Sequence, residues 1–386
     1  MNQIQKLINE LCPEGVEFKK LGEVCSINKG VQFNKRDMQA EGLFPVINGG
    51  TSPSGYIEQY NTNENTITIS QGGASAGYVN YMTTKFWCGA HCYTIVPNDT
   101  VINRFVFHFL KMNEAILQNC QYGAGIPALG KDKISKLEIP VPPIEVQRKI
   151  VEVLDNFTEL EAELEAELEA RRKQYEHYRN QLLTFTPPRS EGVKWMKLGE
   201  IGVMIKGAGI QKSDFVENGY PCIHYGQLHT AFGTFADKNI SFINKKLYDR
   251  CKKANYGDVL IATTSEDVEA CCKATAWLGE EVAISGDAHI FHHNQNPKYI
   301  AYFFQTDDFA KQKRKYASGV KVVRVNSDNL AKIEVPIPPI EEQRRIVSIL
   351  DRFEALTTDL QSGLPAEIAA RRQQYEYYRE KLLTFE

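Results

Sequence analysis

Two stretches of the chain carry apolar residues at steps of three and four, the spacing of a helix that packs against another helix. The first runs from residue 144 to 183 without glycine or proline, and its Glu-, Ala- and Leu-rich centre favours helix. At about 1.5 Å per residue it extends about 60 Å, which is too long for a globular core. The second runs from 340 to 386, where Gly363 and Pro365 predict a kink or local break.

The direction of the two long helices follows from their connection. If the domain between them is compact, the second helix starts near the end of the first and runs back, so we expect an antiparallel pair. Alternatively, each helix packs on its own domain, and each apolar seam then needs another partner. Residues 1–12 place Ile4, Leu7, Ile8 and Leu11 on one face of a short amphipathic helix. We expect that helix to contact the C-terminal end of the second long helix.

The chain also repeats itself. Three motifs occur twice, at offsets of 177, 196 and 200: LGE followed by KG (residues 21–30 and 198–207), EIPVPPIEVQR against EVPIPPIEEQR (138–148 and 334–344), and RR-x-QYE closing in LLTF (171–185 and 371–385). The growing offset makes the second unit a longer copy of the first. Between these motifs the two copies have diverged, which indicates a shared scaffold with different surfaces.

The repeats define five segments: an N-terminal amphipathic helix (1–12), a first variable domain (13–143), a central long helix (144–185), a second variable domain (186–339) and a C-terminal long helix (340–386). Strand-like and helix-like patterns mix within both variable domains. The predicted fold class is therefore α+β, with two pseudo-twofold related mixed α/β domains joined by two long antiparallel coiled-coil helices.

Composition narrows the class of protein. The chain has 386 residues, of which 42% are hydrophobic and 24% charged, so neither a single small domain nor a disordered chain fits. Nine cysteines without a repeated spacing and a polar N-terminus predict a cytoplasmic protein without a secretion signal. No apolar run approaches the length of a membrane span.

The sequence offers little for catalysis. Residues 125–132 begin like a P-loop, but Asp132 stands where Ser or Thr must reach magnesium, and Pro127 lies inside the loop. Cys88, His91 and Cys92 have no second pair at zinc-ligand spacing. His91 and His289 occupy what look like matching repeat positions, where we expect core histidines. We predict no catalytic residue, no metal site and no cofactor bound by this chain.

Charge is more informative by segment than in total. The net charge of −3 gives no hint of nucleic acid, yet the long helices carry excess acid and the second variable domain is net basic. A basic run without acidic residues lies between Phe309 and Ser327, and it suits a solvated helix face as well as a phosphate-facing surface. Lys, Arg and Gln contact phosphates and base edges. The DNA-binding candidates are Lys29, Gln32, Lys35, Arg36 and Lys85 in the first domain and Lys206, Gln211, Lys212, Lys313, Arg314, Lys315, Lys321 and Arg324 in the second.

Two variable domains alternating with two near-identical helices, each opened by PPIExQR, resemble the specificity (S) subunit of type I restriction-modification systems. The resemblance spans essentially the whole chain, and residues 123–127 resemble the close of a target recognition domain. It implies that residues 13–143 and 186–339 are target recognition domains 1 and 2, each reading one half of a bipartite double-stranded DNA site. The helices at 144–185 and 340–386 would be the conserved segments that set the spacer and dock two methyltransferase (modification) subunits.

The same resemblance implies that the catalytic reactions are carried out by partner subunits. Modification subunits would supply S-adenosylmethionine binding and adenine methylation, and restriction (translocase) subunits would supply ATP- and Mg-dependent translocation and cleavage. Two readers on one DNA face should address half-sites about 10 bp apart. The competing hypothesis is a coiled-coil adaptor that binds only protein partners, and an enzyme acting alone is a third. The weak basic excess suggests that the chain holds DNA well only inside a larger assembly.

Overall fold

The structure is a computed structural model, and it describes residues 2–123, 127–185, 192–319, 322–359 and 362–385. The chain divides into two compact units. Unit 1 comprises residues 1–166 and 366–386, and unit 2 comprises residues 167–365. Each unit therefore contains one variable domain together with parts of the long helices.

Unit 1 begins with a helix where the sequence predicts one and continues as a mixed α/β domain. Its helices are α1 (Asn2–Leu11), α2 (Leu21–Val24), α3 (Asn103–Met112), α4 (Glu114–Asn119) and α5 (Lys131–Ser135), with a 3-10 turn at Lys35–Asp37. Its strands are β1 (Phe18–Lys20), β2 (Cys25–Lys29), β3 (Phe44–Ile47), β4 (Tyr56–Ile57), β5 (Thr66–Ser70), β6 (Val79–Met82), β7 (Trp87–Cys88), β8 (Cys92–Pro97) and β9 (Glu138–Pro140).

The main sheet of unit 1 is antiparallel, in the order β2-β8-β5-β6. Its buried isoleucines, such as Ile27 and Ile67, pack against Phe105 of α3. A smaller sheet has the order β4-β3-β7. The core also contains Ile4 of α1 together with Leu382 from the C-terminal end of the chain, as the amphipathic pattern at the N-terminus leads us to expect.

Unit 2 repeats this plan with more elements. It contains part of α6 (Ile144–Leu183), then α7 (Leu198–Ile201), α8 (Tyr225–Thr230), α9 (Lys245–Tyr248), α10 (Pro297–Phe303), α11 (Asp307–Arg314) and α12 (Ser327–Leu330), with a 3-10 turn at Lys212–Asp214. Its strands are β10 (Lys194–Lys197), β11 (Gly202–Lys206), β12 (Phe215–Val216), β13 (Tyr220–Ile223), β14 (Phe235–Ala236), β15 (Ser241–Ile243), β16 (Lys253–Ala254), β17 (Val259–Ala262), β18 (Thr264–Ser265), β19 (Lys273–Trp277), β20 (Val282–Ile284), β21 (Ala288–His293), β22 (Val323–Arg324) and β23 (Glu334–Ile337).

The main sheet of unit 2 has the order β11-β21-β17-β19-β14. Its first four strands occupy the places of β2, β8, β5 and β6 in unit 1, and the neighbours among them are again antiparallel. A second five-stranded sheet, in the order β12-β15-β13-β20-β16, replaces the three-stranded sheet of unit 1. The extra strands account for much of the greater length of the second copy.

The two long helices pair in antiparallel fashion within unit 1. Two more helices complete the chain, α13 (Ile340–Thr358) and α14 (Leu364–Leu383). Phe157 of α6 stacks on Tyr378 at 5.3 Å between ring centroids, and Glu161 and Glu165 further along α6 pair with Arg372. As the residue number rises on α6 it falls on α14, so the predicted antiparallel direction is confirmed in this unit.

The predicted interruption of the second long helix is confirmed. Helix α13 ends at Thr358 and α14 begins at Leu364, with residues 360 and 361 outside the described part. Pro365 lies in the first turn of α14, where no backbone donor is needed. Helix α6, which contains no such residue, is continuous over 40 residues. Within unit 2, Tyr178 of α6 packs on Phe353 of α13 at 5.5 Å between ring centroids.

The glutamine of the PPIExQR motif has the same structural role in both copies of the motif. Gln147 is fully buried and its side chain donates to the carbonyls of Pro142 and Thr100 at 2.8 and 3.0 Å, while its Oε1 accepts from the Ile102 amide. Gln343 makes the same kind of contact in unit 2, with the carbonyl of Pro338 among its partners at 2.9 Å. In each unit, a buried amide thus ties the start of a long helix to its variable domain.

Candidate nucleic-acid interface

In unit 2 the ends of several strands meet around one open cavity. Strand β11 ends at Lys206, which lies opposite His289 of β21, and Thr264 of β18 lies opposite Arg324 of β22. These four residues border a cavity of about 410 Å³, together with Asp287. Two cationic side chains from distant parts of the sequence are thereby brought to one place.

The charges in this cavity are available to a ligand. Lys206 and Arg324 are exposed, and neither has an ion-pair partner within the described residues. His289 is 6% exposed, and its Nδ1 lies 3.0 Å from the Thr263 hydroxyl. Burial lowers the pKa of His289, and the nearby Lys206 lowers it further, so the ring is neutral at pH 7.

The same residues offer the hydrogen-bonding groups that read DNA. A guanidinium can contact a phosphate or the O6/N7 edge of guanine, a carboxylate can accept from the amino group of cytosine, and a lysine can contact a phosphate. Arg324, Asp287 and Lys206 supply these three groups around one cavity.

Unit 1 has an equivalent place with different side chains. The Gly30 amide donates to the Cys92 carbonyl at 3.0 Å, and the Gly207 amide donates to the Ala288 carbonyl at the same distance. Lys29 therefore corresponds to Lys206 and lies opposite Tyr93, the counterpart of His289. A bridge between Gly72 and Ala128 matches the Thr264–Arg324 pair. Where unit 2 has Arg324, unit 1 has Ala128.

The glycine of the repeated Lys-Gly motif allows this close approach of backbone to backbone. A Cβ on Gly30 would lie 2.3 Å from the Gly89 carbonyl oxygen, and one on Gly207 would lie 2.1 Å from that of Ser285. No larger residue fits at either position. The motif therefore marks the point where the lysine-bearing strand end passes the neighbouring loop.

The expectation that His91 and His289 are matching core histidines is wrong. His289 is buried in β21, but it lies at the position of Tyr93, because the offset between copies is 196 in this strand. His91 is exposed and precedes β8. The two copies are only weakly similar in this region, so the sequence pattern pairs His289 with His91, two residues before its true counterpart Tyr93.

The other candidates of the first domain lie apart from the strand ends. Gln32, Lys35 and Arg36 are exposed on the loop and 3-10 turn that follow Lys29. Lys85 is partly buried, with its Nζ 3.3 Å from the Tyr60 hydroxyl. The Gln32 amide also has a partner, because it donates to the Phe33 carbonyl at 3.0 Å. Lys35 and Arg36 have no side-chain partner among the described residues and are open to a ligand.

The basic run of the second domain does not form one surface. Lys313 is 4% exposed, and its Nζ donates to the carbonyls of Glu269 and Cys271 at 2.8 and 2.9 Å. The prediction that Lys313 contacts DNA is therefore wrong, because its ammonium is held inside unit 2. Arg314 pairs with Glu269 at 2.7 Å.

The remaining candidates of the second domain are dispersed. Lys315 is exposed at the end of α11, and Gln211 and Lys212 are exposed at the 3-10 turn after β11. Lys321 lies outside the described residues. Among the basic residues of this run that the structure describes, Arg324 alone borders the cavity.

Sequence reasoning missed the uncharged and acidic residues of the cavity. Thr264 and Asp287 border it, and no pattern of spacing or basic charge pointed to them. Strand pairing places these two residues near Lys206, and the internal repeat of the sequence could have predicted that pairing. Had residues 29–30 and 206–207 been aligned through their partner strands, Asp287 would have emerged as the counterpart of exposed His91.

The described part of the chain contains no cluster of three or more His, Cys, Asp or Glu side chains able to hold a metal ion. The P-loop-like stretch falls partly outside the described residues, at 125 and 126, and the 123–127 stretch does so at 124–126. Its described end, Gly130 to Asp132, opens the five-residue helix α5. All nine cysteines are free thiols. Among the described helices, none has the length and hydropathy needed to span a membrane.

Comparison with known proteins points to one family. Residues 13–170 and 190–370 match the model of the type I restriction modification DNA specificity domain. The chain is 36% identical to the type I restriction enzyme EcoR124I/EcoR124II specificity subunit of Escherichia coli, over 100% of this chain and 97% of that protein. It is 32% identical to a putative type I restriction enzyme specificity subunit of Haemophilus influenzae, over 96% of each chain.

Solved structures share the fold. The S subunit of a type I restriction-modification system from M. genitalium matches with a TM-score of 0.60 at 18% identity, over 95% of this chain and 96% of that one. A chain solved in work on complex assembly and conformational transition of the type I R-M system matches with the same TM-score and identity, over 96% of this chain and 98% of that one.

Proposed function

The chain belongs to the family of type I restriction enzyme specificity subunits, and from this premise we propose that each unit reads one half of a bipartite DNA site. The reading surface is the strand-end surface, which comprises Lys29 and Ala128 in unit 1 and Lys206, Asp287 and Arg324 in unit 2. Members of this family are non-catalytic subunits that bind DNA and assemble with other subunits. Membership does not favour the adaptor that binds only proteins.

The observation that carries the proposal is the pair of equivalent strand ends. Lys29 and Lys206 end the same strand in the two units, each followed by a glycine that the close backbone requires. Around them the side chains differ, with Ala128 in unit 1 where unit 2 has Arg324. A shared lysine suits a phosphate contact common to both units, and divergent neighbours suit different half-site sequences.

The finer assembly is part of the same proposal. The long helices set the spacer between the half-sites and dock two methyltransferase (modification) subunits, and restriction subunits join that complex. S-adenosylmethionine belongs to the modification subunits, and ATP and Mg belong to the restriction subunits. The complex works in the cytoplasm, where its DNA is. The PPIExQR helices support this assembly because they are nearly identical in both copies, as two docking sites for one kind of partner should be.

The test is DNA binding by the full chain together with the modification subunits of its own system. Arg324→Ala should weaken binding about tenfold to a hundredfold and relax specificity at one position of one half-site. Lys206→Ala should weaken binding to all sequences alike and reduce the slope of affinity against salt by about one. Sites would be selected from a randomised DNA library and affinities measured at several salt concentrations.

Arg314→Ala is the matched control, because it removes the same charge from unit 2 at a residue paired with Glu269. It should leave specificity unchanged. If Arg324→Ala and Arg314→Ala select the same sites as the unaltered chain, the strand-end surface of unit 2 does not read DNA.

A further inference from the structure

A thiol pair and an ammonium lie together inside unit 2. Cys271 and Cys272 are each 1% exposed, with their sulfur atoms 3.8 Å apart. The Nζ of Lys313, itself 4% exposed, donates to the Cys271 carbonyl at 2.9 Å. Buried ionisable groups of this kind are rare unless they have partners or a role.

Unit 1 builds the same place without thiols or an ammonium, and there the Gln121 amide donates to the Ala76 carbonyl at 2.6 Å. The Gly77 amide donates to the Ser70 carbonyl at 2.8 Å, and the Cys272 amide donates to the Ala262 carbonyl at 2.9 Å. These bonds join equivalent strands, so Gly77 is the counterpart of Cys272, and Ala76 that of Cys271. The residue 196 positions before Lys313 is Leu117, which is fully buried. The fold therefore does not require thiols or an ammonium here.

Cys272 also adopts a conformation that suits its glycine counterpart. Its φ is 66°, against 92° for Gly77. Residues with a Cβ seldom adopt the left-handed region, and those that do cluster at functional sites. A glycine would remove this strain, as it does in unit 1. The cysteine is retained at a conformational disadvantage, which points to a use for its sulfur.

The two thiols have unequal acidity. The hydrogen bond from Cys272 lowers the pKa of Cys271, and the nearby Lys313 ammonium lowers it further. The hydrogen bond with Cys271 raises the pKa of Cys272, as does burial. Burial opposes the lowering at Cys271, but Cys271 remains the more acidic of the two neighbouring thiols. In such a pair the more acidic thiol attacks and the other resolves. By contrast, burial raises the pKa of the Cys222 thiol in the same unit to about 12.

A small molecule has a route to these sulfurs. A cavity of about 430 Å³ is bordered by both cysteines together with His229, Glu269, Lys273 and Lys313. The Cys271 thiol also contacts backbone next to the strand ends. The Cys271 thiol donates to the Thr263 carbonyl at 3.4 Å, and its sulfur lies 3.9 Å from the Val323 carbonyl. Thr263 and Val323 immediately precede Thr264 and Arg324 in the sequence.

We propose that Cys271 and Cys272 form a peroxide-sensitive modification site, whose oxidation to a disulfide displaces the strand ends of unit 2 and weakens its contact with DNA. The Cys271 thiol releases its proton, its sulfur attacks one peroxide oxygen, the O–O bond breaks, and the leaving hydroxide takes up the released proton to become water. The Cys272 thiol then attacks the Cys271 sulfenic sulfur. The S–S bond forms, the S–O bond breaks, and the departing hydroxide with the Cys272 proton makes a second water. The two sulfurs supply the two electrons that reduce the peroxide.

The resulting disulfide strains the backbone and reverses readily. Adjacent Cα atoms are about 3.8 Å apart across a trans peptide, which is below the usual separation of bridged cysteines. Strained disulfides are more easily reduced, so a cellular dithiol restores the site. Unit 1 has alanine and glycine at the equivalent positions, so oxidation of this particular pair affects the half-site of unit 2. The effect on DNA rests on the proposed function, whereas the chemistry at the sulfurs does not.

The test treats the full chain, with its modification subunits, with hydrogen peroxide. Blocking of free thiols and peptide mass spectrometry should find the peptide with Cys271 and Cys272 lighter by two hydrogens and unalkylated, and dithiothreitol should restore it. Cys222 should stay alkylatable after unfolding. Binding should weaken about tenfold, the size of one lost bidentate contact, with the loss confined to the half-site that Arg324→Ala relaxes.

Two variants copy unit 1. Cys271→Ala with Cys272→Gly reproduces Ala76 and Gly77, and should bind DNA as before while losing the response to peroxide. Lys313→Leu should slow formation of the disulfide several-fold. An unchanged peptide in the treated wild-type chain overturns the modification site, whether or not the chain binds DNA. A disulfide that leaves DNA binding unchanged overturns its coupling to the strand ends, and failure of the untreated chain to prefer any DNA sequence counts against the proposed function alone.

Discussion

Units 1 and 2 anchor their variable domains to the long helices through the same aspartate with different partners. In unit 1, Asp155 of α6 accepts from Arg104 Nε at 3.0 Å and from His108 Nε2 at 2.7 Å. Because a carboxylate only accepts, His108 carries its proton on Nε2, and its Nδ1 accepts from the Tyr375 hydroxyl at 2.9 Å. One carboxylate thus holds two donors of α3.

In unit 2 the residue 196 positions later is Asp351, and its partners come from α10. Lys298 Nζ donates to Asp351 at 2.8 Å, and the Tyr302 hydroxyl lies 2.7 Å from both Asp351 and Glu354. The repeated helix keeps its carboxylate while the domain changes the donors. A duplicated scaffold therefore tolerates divergence even at its buried polar contacts, provided that every donor finds an acceptor.

The largest difference between the units concerns a buried charge. Leu117→Lys in α4 should destabilise unit 1 by at least about 4 kcal/mol, because an ammonium would be buried among apolar residues. Lys313→Leu should change the stability of unit 2 by less than about 1.5 kcal/mol, since it removes a charge along with two hydrogen bonds. Urea unfolding combined with hydrogen exchange of each unit measures both effects.

Ile116→Lys is the control for Leu117→Lys, because Ile116 is the adjacent residue and is 52% exposed. It adds the same charge at the surface and should cost less than about 0.5 kcal/mol. If Leu117→Lys costs no more stability than Ile116→Lys, unit 1 can also bury an ammonium. The two units would then not differ in this respect, despite Lys313 in unit 2.

A smaller effect separates the two aspartates. Asp155→Ala should cost about 2 kcal/mol, because it leaves the Nε2–H of fully buried His108 without an acceptor. Asp351→Ala should cost about 1 kcal/mol, because the Tyr302 hydroxyl keeps Glu354. The unfolding midpoints of the two units report these values, with the surface change Asp249→Ala as a control. If Asp351→Ala costs as much stability as Asp155→Ala, Glu354 does not act as a second acceptor.

The parts of this architecture that sequence could predict are those that local pattern or repetition encodes. The 40-residue helix, its broken counterpart at Gly363 and Pro365, and the doubled proline motif follow from periodicity and from residues that stop helices. The position of Lys313 does not, because whether a lysine in a basic run faces solvent depends on the carbonyls that surround it after folding. Likewise, the meeting of Lys206 with Arg324 depends on strand register across more than a hundred residues.

The smallest effect tests His108, which has no histidine counterpart in the cluster of unit 2. Burial lowers its pKa from the ordinary 6.5, with the hydrogen bond to Asp155 opposing that change. The unfolded chain therefore binds a proton that the folded chain resists, and the free energy of unfolding falls as the pH drops below 6.5. Asp155 does not contribute in this window, because its partners lower its pKa to about 2 and its stabilisation is lost only as the pH falls below 3.8.

His108→Gln should flatten this pH dependence, since a glutamine amide can donate to Asp155 and accept from Tyr375 without titrating. Urea unfolding at about pH 7.5 and about pH 5.5 should show a smaller loss of stability in the variant than in the unaltered chain. The comparison must be between variants, because burial also lowers the pKa of His293 in unit 2 to about 4 and adds an acid-sensitive contribution. Exposed His177→Gln is the control and should follow the unaltered chain. An identical loss in His108→Gln would mean that folding leaves the pKa of His108 unchanged, and the lowered pKa assigned to this buried ring would be wrong.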